Sequence, residues 1–202
     1  MEPSAADGTA DQAVAGERAE KFLAMSVVLT GYGRVQLVGT GLTAAYLRTI
    51  DAALPAGVLD DLLAAFERLS ADVQSADPPG VGANGVGGLP GGHRVPPEDD
   101  RLEADVASAI LDDPRLGPVA RNIILLWYCG TWTALSDAWH AAYGASPLDA
   151  TRVVSAQAYQ SGLQWVAAGA HPAGARAQGF GAWSMPPQSA LPEPTLPEGA
   201  GA

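Results

Sequence analysis

Between residues 55 and 74, apolar side chains fall at Leu59, Leu62, Phe66, Leu69 and Val73, alternately three and four apart. Asp60, Asp61, Glu67, Arg68 and Asp72 take the other side. That spacing puts one apolar stripe and one charged face on an α-helix, and Pro55 suits its start. Weaker stripes repeat along the chain. Residues 17–30 place Phe22, Met25 and Leu29 at helical spacing, with charge confined to the first turns; residues 41–54 align Leu42, Tyr46, Ile50 and Ala53. Glu98, Asp99 and Asp100 put negative charge where a helix N-terminus favours it, ahead of the narrow stripe Leu102, Val106 and Ile110.

Asp113-Pro114 reads as a cap followed by a first helical residue. The helix it opens ends in the run 123–128, Ile-Ile-Leu-Leu-Trp-Tyr, apolar all round. Such a helix is expected to be buried on every side and hence central, with Gly130 as its stop. A last helix is predicted over 153–168, with Ala156, Tyr159, Leu163 and Val166 facing inward. No strong strand alternation interrupts these patterns. The expected fold class is all-α, an irregular bundle of about six helices.

The segments between the stripes set the domain organisation. Residues 1–16 are small, polar and acidic, and read as a disordered N-terminal segment. Residues 77–97, DPPGVGANGVGGLPGGHRVPP, read as a flexible loop inside a single helical domain spanning 17–185. Its glycines follow no strand and precede no Lys-Ser/Thr, which argues against a phosphate cradle. Residues 186–202 carry Pro or Gly every few positions and read as an extended Pro-rich tail.

Composition narrows the function classes. With 48% hydrophobic and 16% charged residues in 202, this is a folding chain of one ordinary domain. Its net charge of −11, with Lys21 as the only lysine, argues against nucleic-acid binding and against an anionic membrane surface. The best apolar run is far short of the ~20 residues a bilayer span requires. The N-terminal stretch has no basic start, apolar core or twin arginine, so the expected location is the cytoplasm, or the periplasm if the chain is exported with a partner or has lost a signal.

Candidate chemistry is sparse. Cys129 is the only cysteine. Its place near a helix C-terminus disfavours a thiolate. It reads first as a small buried apolar residue, with an inter-chain disulfide or contact, or a nucleophile served by His140 and Asp137, as the alternatives. His93, His140 and His171 show no metal-ligand spacing. The pairs Asp60-Asp61, Asp99-Asp100 and Asp112-Asp113 read as solvated charge. No dinucleotide fingerprint is present. Neither a catalytic set nor a cofactor or metal site is therefore expected on this chain. What stands out is a late aromatic inventory of Trp132, Trp139, Tyr143, Trp165, Phe180 and Trp183. Aromatics on irregular segments either fold back over the core or anchor a partner.

Four stretches, in order, carry a resemblance: FLAMSVVLTGYG from Phe22, WYCGTW from Trp127, AYQSGLQW from Ala158 and GFGAWSMPP from Gly179. Together they resemble the small, or gamma, subunit of FAD-dependent sugar and sorbitol dehydrogenase complexes. The matching positions are Phe22, Leu23, Ser26, Leu29, Thr30 and Gly31, then Trp127, Tyr128 and Gly130, then Tyr159, Leu163 and Trp165, and last Trp183, Pro186 and Pro187.

The resemblance implies a non-catalytic subunit that binds and stabilises a large, FAD-containing subunit of the glucose-methanol-choline oxidoreductase type. That complex would oxidise CH–OH carbons of sugars or other alcohols and pass electrons to a cytochrome or another acceptor. Trp127, Tyr128, Trp132, Tyr159, Trp165, Phe180, Trp183, Pro186 and Pro187 are then the interface candidates. The chain departs from the family pattern in three ways. It shows no twin-arginine signal, it lacks the cysteine commonly seen before the terminal Gly-x-Trp, and its link over 130–152 is longer. A stand-alone helical binding or scaffold protein and a cysteine-dependent enzyme are the competing readings.

Overall fold

Helix α6, Leu116–Cys129, is the element around which the others assemble in the computed structural model, which describes residues 5–75 and 97–170. It packs against α1 (Ala5–Thr30), α4 (Val58–Ser75), the strand β1 (Thr131–Trp132), and the short helices α8 (Ala156–Gln160) and α9 (Leu163–Ala167). The remaining elements are α2 (Arg34–Gly39), α3 (Thr43–Ala53), α5 (Pro97–Val106) continuing into a π-helical turn (Ala107–Leu111), α7 (Asp137–Tyr143) and β2 (Arg152–Val153). The fold is all-α apart from the two-residue ladder of β1 and β2, which pairs Thr131 with Val153 and Trp132 with Arg152. The expected tail over 186–202 lies outside the described residues, as does nearly all of the expected loop over 77–97.

Local chemistry explains the boundaries of α6. Asp113 Oδ1 accepts the amides of Arg115 and Leu116 at 2.8 and 2.7 Å, satisfying donors at the helix start. Gly130 ends the helix at φ +66°, the left-handed conformation that glycine adopts without steric penalty. Inside, Trp127 stacks on Phe22 of α1 at 6.1 Å between ring centres and meets the edge of Tyr46 from α3 at 4.9 Å. These aromatics and the aliphatic faces of α3 and α4 form one continuous core.

Helix α1 runs from Ala5 to Thr30. Three expectations need correction. Helix α6 is central but not enclosed, because Leu125 is 40% exposed. The helix expected over 153–168 is two helices. Gly162 separates them, lying where a Cβ would fall 2.5 Å from the Tyr128 carbonyl oxygen. The break changes which residues face inward: Ala158 and Leu163 are buried, whereas Tyr159 and Val166 are exposed. Last, α2 and α7 form without having been expected. Each spans two turns or fewer, too short for a periodic stripe to register.

Ion pairs fasten α1 from outside. Arg18 forks onto Asp51 of α3 at 2.7 Å and reaches Asp60 of α4 at 2.8 Å. All three groups are partly exposed, so the cluster fixes orientation more than it adds stability.

Candidate partner-binding face

The last turns of α1 are shaped by two hydroxyls. Ser26 Oγ donates to the Phe22 carbonyl and Thr30 Oγ1 to the Ser26 carbonyl, each at 2.7 Å. Both side chains are thereby satisfied while buried against α6. Gly31 closes the helix at φ +71°. From α6, the Tyr128 hydroxyl donates to the Thr30 carbonyl at 2.9 Å, and its ring meets Tyr32 edge-on at 5.9 Å. Burial, and secondarily the neighbouring Tyr128, push the Tyr32 phenol above its ordinary value.

On the other side of α6 the backbone of α8 comes very close. A Cβ on Gly130 would fall 2.5 Å from the Ala158 carbonyl carbon. Glycines at 130 and 162 therefore let two segments lie directly against the end of α6. Beyond them Trp165 meets Tyr159 edge-on at 5.3 Å and donates its Nε1–H to the Tyr159 carbonyl at 2.8 Å. Tyr159 is 39% exposed and Val166 64%.

A groove of about 290 Å³ opens at the end of α1. Residues 28–31 at the end of α1 form one wall; Glu103, Val106 and Leu111 form the other. The wall from α5 ends in the π-helical turn, a distortion frequent at functional sites.

The interface candidates divide accordingly. Tyr128, Tyr159 and Trp165 are half-buried or exposed. Trp127 and Trp132 are 1% and 0% exposed, so their rings lie beneath the surface. Trp139 is buried as well, its Nε1–H bonded to the Arg115 carbonyl at 2.9 Å, and Tyr143 packs against it. Phe180, Trp183, Pro186 and Pro187 lie outside the described residues.

The expected pairing of His140 with Asp137 does not form. His140 Nε2 pairs with Asp149 at 2.7 Å, not with Asp137, which sits in the first turn of α7. Cys129 is half-buried and free. Asp149 is the residue that the sequence reading missed. Its side chain is fully buried and accepts from Trp132 Nε1–H, the Leu135 amide and His140. The only available signal was indirect: a buried indole N–H needs an acceptor.

Among the described residues no group of three or more His, Cys, Asp or Glu is placed to hold a metal ion, and no helix is long and apolar enough to cross a membrane. No protein-family model matches the chain, and no curated protein or solved structure matches it either.

Proposed function

We propose that this chain is a non-catalytic small subunit that binds and stabilises an FAD-containing catalytic subunit of the glucose-methanol-choline oxidoreductase type, within a sugar or alcohol dehydrogenase complex. One observation carries the reading. The three described stretches behind the resemblance touch one another through Phe22–Trp127, Tyr128–Thr30 and Gly130–Ala158. Beside these contacts Tyr128, Tyr159 and Trp165 remain partly open. Aromatic and aliphatic side chains held by a rigid backbone and left partly open suit protein–protein contact. In this reading the flavin and the oxidation chemistry belong to the partner. This chain contributes by binding the partner's folded form, which shifts the partner's folding equilibrium by mass action.

The test is co-expression with a flavin oxidoreductase encoded beside it. Co-purification and a rise in soluble, active flavoprotein are expected, and the small subunit alone is expected to carry no flavin absorbance and no dehydrogenase activity. A flavin band on the isolated chain would defeat the reading. So would a flavoprotein equally soluble and active without it.

A further inference from the structure

The groove at the end of α1 is rigidly built. The wide π-helical turn directs the Leu111 carbonyl at α6, where Gly117 has no side chain to obstruct it: a Cβ there would lie 2.3 Å from that oxygen. Arg121 Nη2 then donates to the same carbonyl at 2.7 Å. The opposite wall is held by the Tyr128 hydroxyl on the Thr30 carbonyl. Arg121, Leu125 and Tyr128 stand at i, i+4 and i+7 on one face of α6. Half-exposed Leu125 therefore lies between the two anchors along α6.

The polarity of the groove is one-sided. The Thr30 hydroxyl is already spent on Ser26. Glu103 is the one charged group in the lining, is exposed, and has no ion-pair partner among the described residues. The carbonyl end of α1, carrying the negative pole of that helix, faces the same space. Arg121 is engaged by the Leu111 carbonyl. The whole chain, at net charge −11, attracts basic surfaces from a distance.

We infer that this groove seats a bulky apolar side chain of the flavoprotein with an arginine or lysine beside it. The apolar group fills the space between residues 28–29 and Val106, and the cation pairs with Glu103. The inference rests on the accessory-subunit reading and names the contact that would carry part of it. The volume is that of one or two side chains, at the lower edge of the ~300 Å³ typical of small-molecule sites, which fits a protein anchor.

The experiment uses the full-length subunit co-purified with the flavoprotein encoded beside it, and measures affinity at low and high salt. Glu103→Lys is expected to weaken association about tenfold at low salt, and Glu103→Gln less. Both losses should shrink as salt rises, because the contact is charged and near the surface. Leu125→Ser, at an exposed position, should weaken binding several-fold at both salt levels. Circular dichroism of each variant checks that the fold is retained. Wild-type-like affinity in all three variants would overturn the groove assignment while leaving the subunit partnership intact. So would a free subunit that self-associates through the groove and is dispersed by Glu103→Lys, since a second copy would then be the occupant. If no flavoprotein associates even with the wild-type chain, the partnership itself fails and the groove assignment falls with it.

Discussion

Trp132 donates its indole N–H to Asp149 Oδ1 at 2.6 Å, and that bond closes the excursion between β1 and β2 on itself. The other carboxylate oxygen takes the Leu135 amide at 2.9 Å and His140 Nε2 at 2.7 Å. One side chain near the end of the excursion thus collects a core indole, a loop amide and the imidazole of α7. Asp149→Ala leaves these donors with no acceptor in a site closed to water. The expected cost is about 3 kcal/mol, in the range for breaking a buried polar network. Asp149→Asn keeps one acceptor oxygen and should cost less. Urea denaturation at neutral pH measures both, and an Asp149→Ala midpoint equal to wild type would dismiss the knot as incidental.

The sequence pattern recovered what depends on periodicity over three turns or more. The stripe Leu59, Leu62 and Phe66 is buried as expected, and so are Phe22 and Met25 of α1 and Tyr46 and Ile50 of α3. Terminators with their own chemistry were legible too, since Gly130 and Asp113 act as their types suggest. What escaped was set by distant partners. Nothing local marks Gly162 as a break; it is needed because the Tyr128 carbonyl, thirty-four residues earlier in the chain, occupies the space of a side chain. For Trp132 and Trp139, on irregular segments, the sequence left both core packing and partner contact open. Their indoles are buried because Asp149 and the Arg115 carbonyl accept their N–H groups. Of the candidate face, the stretches were visible, but the groove was not, because Glu103 and Leu111 come from outside the stretches that carry the resemblance.

Gly130→Ala is expected to be among the most damaging single substitutions. The added Cβ would lie 2.5 to 2.7 Å from the backbone of Ala158 and Tyr159, which cannot swing aside as a side-chain tip would. It would also force a left-handed backbone on a residue that disfavours it by about 1–2 kcal/mol. With overpacking added, a loss of about 3 kcal/mol or more is expected. Gly39→Ala is the control, since an added Cβ there meets nothing within 4 Å and the residue is helical. It should be neutral or stabilise by up to about 1 kcal/mol. Thermal denaturation of the two variants side by side checks the contrast, and equal losses would show that the close approach at Gly130 does not matter.

Trp183 lies outside the described residues, in the Gly-x-Trp-x-x-Pro-Pro stretch that carries part of the resemblance. If the chain is an accessory subunit, Trp183 is expected to anchor it. Trp183→Ala should then cost about 2 kcal/mol of association, roughly thirtyfold in affinity for the flavoprotein. In that reading the free subunit should keep its helical circular dichroism and melting temperature. A variant that melts early yet binds normally in its folded fraction would assign Trp183 to internal packing.

Tyr46 offers a test of the core with its sign fixed in advance. The side chain is completely buried, its ring edge lies on Trp127, and its hydroxyl has no hydrogen-bond partner among the described residues. Burial, with a smaller contribution from nearby Cys129, pushes the phenol well above its ordinary value of 10.0. Tyr46→Phe keeps the ring and removes an unsatisfied hydroxyl, so at neutral pH it should be neutral or stabilise by up to about 1 kcal/mol. Alkaline pH separates the two proteins further. Above about pH 10 the unfolded chain releases this proton while the native chain retains it, so the native state binds more protons and stability falls as pH rises. The wild-type protein should lose up to about 1.4 kcal/mol per pH unit from this residue in that range, and Tyr46→Phe should not. Other ionisations affect both proteins alike and cancel in the difference. The urea midpoints should therefore diverge in favour of Tyr46→Phe between about pH 8 and pH 11. Parallel pH profiles would mean that the hydroxyl reaches water or a partner, and that the core around Trp127 is looser than its packing indicates.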